Sequence, residues 1–356
     1  MITMNNNIMW LRLGLVVLIS IWIIKKLLLI AVLSLLVVLF GGLELLIVLI
    51  SALVIIAFYI VLERKLLGSI QRRRGPNVVG FWGLLQAVAD GLKLIVKEVS
   101  IPSRANRVIF IAAPILIIVI SLTVFAALPI STYTNVNFIN SYVDILILFA
   151  ISSFGVYGVI LAGWSSNSKY SFLGSLRSAA QMISYEVFFS LIILVILLLT
   201  KSSNFVDIVI NQYNTVWYIV PCLPLGVVFF VSILAETNRT PFDLPEAEAE
   251  LVAGYNVEYS SMLFALFFLG EYGNMFALSY LFTILFLGGW LPLCDGHVVY
   301  GFWAGAKAVT LSILFIIVRG NLPRYRYDQL MGVGWKVFLP FVFSYFVLFV
   351  AFSIFC

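Results

Sequence analysis

Residues 107–128 read RVIFIAAPILIIVISLTVFAAL, and after Arg107 this stretch contains no charged side chain. A helix needs about 20 apolar residues, at ~1.5 Å rise each, to cross the ~30 Å hydrocarbon core of a bilayer. The run does not alternate between apolar and polar residues, as a strand of a membrane barrel would. It therefore predicts a transmembrane helix, whose backbone hydrogen bonds are all satisfied within the segment.

Runs of the same kind recur along the chain. They lie at 43–62, 142–163, 179–200, 216–235, 260–289, 298–318 and 337–355. Of the 356 residues 63% are hydrophobic and 10% are charged, whereas a soluble domain carries about 25% charged residues. We expect a tilt or a break in the long run at 260–289, and a bend near the start of 216–235, at Pro221 and Pro224. The fold class predicted is all-α, a polytopic transmembrane bundle of eight spans.

The N-terminal residues 1–39 are predicted to form an extension with a helix of its own. Residues 8–24 are apolar apart from Arg12, and Lys25 and Lys26 follow them. A single helix over the apolar residues 27–62 would be ~54 Å long, which is too long for one crossing. Either an additional span or an interfacial helix fits. We expect residues 40–356 to form one multi-span membrane domain.

Loop charge predicts the orientation of the spans. Sixteen Lys and Arg residues lie in loops 63–107, 164–178, 236–258 and 319–336. The alternate loops, 129–141, 201–215 and 290–297, contain only Lys201. By the positive-inside rule the basic loops face the mitochondrial matrix or the bacterial cytoplasm.

Residues 82–98 are predicted to form an amphipathic surface helix. Apolar residues recur there at helical spacing, from Leu84 through Val88 to Ile95, whereas Asp90 and Lys93 occupy the other face. Such a helix is suited to lying at the bilayer surface. Two interpretations stay open, a basic membrane anchor and one wall of a cavity that opens at headgroup level.

The loop 236–258 concentrates carboxylates, and Glu246 and Glu250 stand at i,i+4 on one predicted helical face. Like charges this close oppose joint ionisation. A solvated acidic loop is the alternative to a proton-handling site.

Acids within the predicted spans are few, and Glu186 and Glu271 are the most central. A carboxylate in lipid costs roughly 2.5–3.5 kcal/mol on insertion scales, and chains tolerate that cost for proton handling or ion pairing. Lys307, deep in a span, could pair with one of them. Asp144 lies at the end of a span, where we expect it to be hydrated.

Several classes of redox site are excluded by composition. Cys222, Cys294 and Cys356 lie far apart, and His297 is the single histidine. Iron–sulfur ligation and a bis-histidine haem within the chain are therefore excluded. No glycine-rich phosphate loop is present either. From the residues alone, a polytopic protein with buried carboxylates remains, and a cation-coupled transporter would fit that description.

Longer strings carry a resemblance to a known family. The most diagnostic is Ala235-Glu-Thr-Asn-Arg-Thr-Pro-Phe-Asp-Leu244, and others are Glu63-Arg-Lys65, Gly75-Pro-Asn-Val-Val-Gly80, Gly163-Trp-Ser-Ser-Asn-Ser168, Ile183-Ser-Tyr-Glu186 and Pro323-Arg-Tyr-Arg-Tyr-Asp-Gln-Leu-Met331. These closely resemble subunit 1 of mitochondrial NADH dehydrogenase (respiratory complex I) and its bacterial counterpart. The resemblance runs from about residue 40 to about residue 340.

The resemblance implies a membrane subunit of NADH:ubiquinone oxidoreductase. Such a subunit forms the quinone-access tunnel and couples quinone reduction to proton translocation. Its substrate is ubiquinone, and flavin and iron–sulfur clusters are held by partner subunits of the peripheral arm. Antiporter-like subunits and lipid adjoin it in the membrane arm, and no nucleic acid is involved. The implied location is the mitochondrial inner membrane.

The resemblance also implies roles for individual residues. Those implied for quinone binding are Arg64, Gln71, Arg72, Phe81, Trp82, Asp90, Arg239, Phe242, Asp243, Arg319 and Arg324. Those implied for a proton relay are Glu186, Glu246, Glu248, Glu250, Glu258 and Glu271. No metal site is implied. The anchor subunit of a membrane-bound hydrogenase, a free-standing cation transporter and a purely structural subunit remain as rival interpretations.

Overall fold

The computed structural model describes residues 46–129, 143–243, 254–292 and 300–355. Backbone packing divides the chain into residues 1–48 and residues 49–356, and the description below concerns the second unit and the beginning of its first helix. The extension 1–39 and the acids Glu246, Glu248 and Glu250 lie outside the described residues. The predictions made for them stay predictions.

Helices joined by short linkers make up the described ranges. In chain order the α-helices are α1 (Leu46–Ile70), α2 (Gln86–Val96), α3 (Arg107–Ala127), α4 (Asp144–Ser165), α5 (Lys169–Thr200), α6 (Phe205–Asn214), α7 (Leu223–Glu236), α8 (Ser261–Phe286), α9 (Tyr300–Asn321), α10 (Tyr327–Val333) and α11 (Leu339–Phe355). Short 3-10 turns lie at Phe81–Gly83 and Gly254–Asn256, and a π-helical turn, Gly334–Phe338, joins α10 to α11.

Within the described ranges, seven helices are long and apolar enough to cross a membrane. They are α1, α3, α4, α5, α8, α9 and the continuous helix made by α10 and α11. The prediction of an all-α, polytopic helix bundle is confirmed. The run predicted as a span at 216–235 forms the shorter helix α7, of 14 residues. This helix starts late because residues 218–222 form turns, and Pro224 lies in its first turn, where its missing N–H leaves no helical hydrogen bond unmade.

Two predicted spans differ in length from the helices observed. Helix α5 has 32 residues and begins at Lys169, ten residues before the predicted start at 179. Helix α8 is continuous over 26 residues, so the break considered for the run at 260–289 is absent. At ~1.5 Å per residue α8 is ~39 Å long, which exceeds the ~30 Å hydrocarbon core. Both helices therefore extend beyond the hydrocarbon core.

Helix α8 occupies the centre of the bundle, between α3 on one side and α9 on another. Gly270 and Gly273 let α3 approach closely, since a Cβ added there would lie 2.6 Å from Ile117 and 3.0 Å from Ser121. Aromatic rings of α5, α7 and α8 fill the space beside it, with Phe189 stacked on Phe229 at 4.6 Å. The position of α8 therefore decides how the candidate site is arranged.

Both ends of α8 are attached to other elements. At its beginning Ser261 Oγ donates to the carbonyls of Leu94 and Lys97, which end α2. Beyond its end Lys307 Nζ donates to three carbonyls, those of Leu287, Gly289 and Leu291. The prediction that Lys307 pairs with a membrane acid is wrong, because these carbonyls and the ring of Trp217, 4.4 Å away, surround its ammonium group.

Asp144 begins α4 at a helix end, as expected, but it is buried rather than hydrated. The backbone of the next residue is held there, because Ile145 N donates to Ser203 O, which lies between α5 and α6.

Candidate functional site

A cavity of about 540 Å³ opens between α1, α2, α8 and the end of α9, and we call it the lateral cavity. Its apolar lining is contributed by Ala57, Ile60, Leu67, Ala87, Gly91, Leu94, Ile95, Met262, Phe264, Ala265, Phe268 and Leu269. Its polar lining is contributed by Glu63, Arg64, Asp90, Tyr272 and Arg319. The cavity therefore combines long apolar walls with a small set of charged and hydroxyl groups.

Three of those polar residues belong to a bonded group that we call the Glu63 cluster (Glu63, Arg239, Tyr272 and Arg319). Arg319 Nη1 lies 2.5 Å from Glu63 Oε1, and Arg239 Nη1 lies 3.9 Å from the same oxygen. Tyr272 donates its hydroxyl to Glu63 Oε2. The Arg239 guanidinium also lies over the Tyr272 ring, 4.3 Å from its centroid. A desolvated contact of this kind is worth about 2 kcal/mol.

Glu63 is only 4% exposed, and it is a site residue that the sequence analysis did not single out. Within α1 the buried residues Ala52, Ile56 and Tyr59 precede it at spacings of four and three, and Glu63 continues the same face. This 3.6-residue period could have found it. Glu63 was instead assigned to the basic loop, because the apolar run ends at Leu62.

Helix α2 is one wall of the lateral cavity. Arg64 of α1 pairs with Asp90 at 2.5 Å, and Gln86 also donates to Asp90 at 2.9 Å, so α1 and α2 are joined. The apolar stripe of α2, which includes Val88 and Leu92, points away from the cavity and is exposed. Of the two interpretations of this segment, the cavity wall and the outward apolar surface are both present, on different faces of one helix.

A second, smaller cavity of about 30 Å³ lies between α3, α4, α5 and α8, and we call it the inner cavity. Its polar lining is contributed by Glu236, Thr237, Asn238, Tyr255, Glu271 and Asn274. Tyr255 donates its hydroxyl to Glu271 Oε1. Among the described residues, Asn238 Oδ1 is buried without a hydrogen-bond partner. A space of this size holds one or two waters.

The segment 236–243 supplies residues to both regions, and buried contacts keep it in place. Gln181 of α5, which is fully buried, donates to Ala235 O at 2.8 Å and to Phe242 O at 2.9 Å. The Phe242 ring stacks on Tyr325 at 5.8 Å. Asp243 pairs with Arg324 at 3.2 Å. Gln181 was not among the residues singled out from the sequence, and its role as the support of this segment is visible in the structure alone.

Other residues implied for quinone binding lie on the surface. Phe81 and Trp82 stack on each other at 5.6 Å but are 78% and 69% exposed. Gln71 and Arg72 are exposed at the end of α1. None of these four lines the lateral cavity, and their roles remain predictions.

The described relay acids are distributed unequally. Glu271 lines the inner cavity, whereas Glu186 and Glu258 are partly exposed and line neither cavity. Glu186 lies near enough to Glu236 for their charges to interact. Glu236 lines the inner cavity but was not singled out, because it was counted with the loop rather than with the end of α7.

Among the residues that the structure describes, no group of His, Cys, Asp and Glu side chains could hold a metal ion.

Residues 43–350 match the NADH dehydrogenase family. NADH-ubiquinone oxidoreductase chain 1 of Cyanidium caldarium is 56% identical over 295 residues, which cover 81% of this chain and 84% of the relative. The corresponding NADH-quinone oxidoreductase chain of Rhodospirillum rubrum is 56% identical over 289 residues, covering 80% and 85%. The Arabidopsis thaliana chain 1 is 55% identical over 289 residues, covering 80% and 88%.

The chain belongs to this family. It is a complex I subunit of the chain 1 type, and therefore a membrane subunit of NADH-quinone oxidoreductase. Other complex I subunits are its partners, and it is a multi-pass inner-membrane protein. The resemblance carried by the strings at 63–65 and 235–244 is confirmed, and with it the anchor of a hydrogenase and the free-standing transporter are set aside.

Proposed function

We propose that the lateral cavity admits the quinone of complex I and that the carboxylates of the inner cavity relay protons when the quinone is reduced. The single observation that carries the proposal is the lateral cavity itself, with apolar walls and the Glu63 cluster among its lining. Ligand sites are typically concave, about 300–1,000 Å³ in volume, largely apolar and provided with a few polar groups. An isoprenoid quinone has this division between an apolar tail and a polar ring.

The chain supplies the passage and partner subunits supply the electrons. We infer that flavin and iron–sulfur clusters of the peripheral arm deliver electrons to the quinone at the basic side of the membrane, and that this side is the mitochondrial matrix. Arg239, Phe242, Asp243 and Arg324 lie on that side, and we assign the surface around them to contact with the peripheral arm.

Reduction of the quinone adds negative charge or removes protons near the Glu63 cluster. Unit charges ~4 Å apart interact by about 4 kcal/mol at an effective dielectric of ~20. A change of this size can displace a proton from a neighbouring carboxylic acid or draw one to it. Glu236 and Glu271, with water beside Asn238, are the nearest described acids outside the lateral cavity. Glu186 leads from them toward an exposed face, where we place a neighbouring membrane-arm subunit.

A photoreactive quinone with an isoprenoid tail tests the passage. In the assembled complex we expect the tail to label α2 and the beginning of α8, near Leu94, Met262 and Phe264, and an excess of plain quinone should prevent the labelling. Labelling confined to α11, which packs little against the rest of the described chain, would contradict the proposed passage.

Glu271→Gln tests the relay. The substitution keeps the shape of the side chain and removes its exchangeable proton, so fewer protons should be moved per electron pair in sealed vesicles. Asp207→Asn is the matched control, since Asp207 is an exposed carboxylate in the first turn of α6, outside both cavities. An unchanged proton-to-electron ratio in Glu271→Gln would argue against the relay.

A further inference from the structure

Two short stretches of chain each contribute to both cavities. On α8, Tyr272 lines the lateral cavity and its neighbour Glu271 lines the inner cavity. At the end of α7, Glu236 and Asn238 line the inner cavity, and the next residue along, Arg239, belongs to the Glu63 cluster. The two cavities are therefore separated by two segments of backbone rather than by a layer of side chains.

The arrangement on α8 follows from helical geometry. Phe268 and Tyr272, four residues apart, share the face that lines the lateral cavity, whereas Glu271 and Asn274, three residues apart, share the face that lines the inner cavity. A rotation or shift of this helix that moves one face must move the other. Gly270 and Gly273 pack closely on α3 and leave little room for a shift within one face alone.

The two segments meet in one contact. The Arg239 guanidinium stacks on the Tyr272 ring at 4.3 Å, and both side chains also reach Glu63, Arg239 across 3.9 Å and Tyr272 through its hydroxyl. Glu63 therefore holds the two side chains that stand next in sequence to residues of the inner cavity.

We propose that the Arg239–Tyr272 stack is a pair of positioning residues that couples charge at Glu63 to Glu271 and Glu236. This rests on the proposed function. When the charge on Glu63 changes, its attraction for Arg239 and its hydrogen bond from Tyr272 change together. Because each of those residues adjoins an inner-cavity segment, their displacement moves Glu271 and the 236–238 backbone. No covalent step and no additional proton carrier is needed.

Tyr272→Phe is the decisive variant, because it removes the hydroxyl that reaches Glu63 and keeps the ring under Arg239. Protons moved per electron pair are measured in sealed inner-membrane vesicles that contain the assembled complex. We expect the ratio to fall about two-fold or more, the range of measured coupling effects. A ratio normalised to electron flow is insensitive to weaker quinone binding or to a lower amount of complex. Should Tyr272→Phe fail to accumulate, Arg239→Lys removes the stacked guanidinium plane and should give the same fall.

Tyr280→Phe is the matched control. Tyr280 lies on the same helix, and its hydroxyl donates to Pro129 O at 2.8 Å, away from both cavities. Its removal should leave the ratio at the wild-type value, and an equal fall in this control would overturn the proposal.

The double variant with Glu271→Gln separates this proposal from the relay on which it rests. If Tyr272 acts through Glu271, adding Tyr272→Phe to Glu271→Gln should cause no further loss. A lowered ratio in Glu271→Gln beside a normal one in Tyr272→Phe would overturn the coupling and leave the relay standing. Fully additive losses would also overturn it. A normal ratio in Glu271→Gln overturns the relay itself, and the coupling with it.

Discussion

Single residues set the chemistry of the lateral cavity. Glu63 is buried among two guanidinium groups and a tyrosine hydroxyl. A charge removed from water in this way is retained only when it is paired and hydrogen-bonded. Any quinone ring that approaches the cluster must compete for, or be held by, groups that already balance one another.

Gly91 provides a test at this scale that spares the cluster. It lines the cavity, and a Cβ added to it would meet nothing within 4 Å. We expect Gly91→Leu to fold normally, since leucine favours a helix over glycine by roughly 0.8–1 kcal/mol, and to raise the KM for long-tailed quinones by obstructing the cavity. Steady-state quinone reduction measures this.

Gly305→Leu is the matched control for that variant. Gly305 is also helical and open to substitution, but it lies on α9 outside the lateral cavity. Equal KM values for Gly91→Leu and Gly305→Leu would show that the cavity is not the path of the quinone.

Among the helices, α8 is the one on which both cavities depend, and its end is fixed by side chains from two other elements. Gln212 of α6 donates to Ile284 O at 2.9 Å and to Leu285 O at 3.2 Å. Ile219 N donates to Phe286 O at 3.0 Å. The next carbonyls accept from Lys307. The last carbonyls of a helix lack partners within it, so these donors satisfy groups that lipid could not.

Lys307→Met tests this anchor. The methionine keeps the apolar length but leaves three carbonyls without their charged donor, and each lost hydrogen bond to a charged group costs about 1.5–3 kcal/mol. We expect less assembled complex on native gels and a lower midpoint of thermal inactivation. Lys336→Met, at an exposed lysine of the π-helical turn, is the control and should change stability by less than about 0.5 kcal/mol. If both variants behave alike, Lys307 is not an anchor.

For the whole molecule, the open question is sidedness. The basic loops lie at the ends of alternate spans, which predicts that α6 and the residues after it face the opposite aqueous compartment. Tyr213, on α6, is 73% exposed.

In a chain whose own cysteines are replaced, Tyr213→Cys should react with a membrane-impermeant maleimide added to the outer face of sealed vesicles. Val78→Cys, in the basic loop, should react only from the inner face. Reaction of Tyr213→Cys from the inner face alone would reverse the proposed orientation.

The amino-acid sequence by itself determined the class of molecule and its family. Apolar runs longer than a bilayer is thick can only be satisfied as helices, so the bundle followed from hydropathy. The strings at 63–65 and 235–244 identified the family, because ten consecutive matching residues are rarely a coincidence. Helix ends were less predictable, since α5 begins ten residues before its apolar run, where Ser and Gly pack against neighbouring backbone.

Only the tertiary structure decided which charged groups meet. Glu63 and Arg319 are 256 positions apart in the chain, yet their charged atoms lie 2.5 Å apart. The partners of Lys307 turned out to be carbonyls rather than acids. Hydropathy reports how much of a segment prefers lipid, but it does not report how a helix is rotated or which helix it adjoins. Those depend on packing across the bundle, and for that reason the separation of Glu271 and Tyr272 into two cavities could not be predicted from their adjacency in the chain.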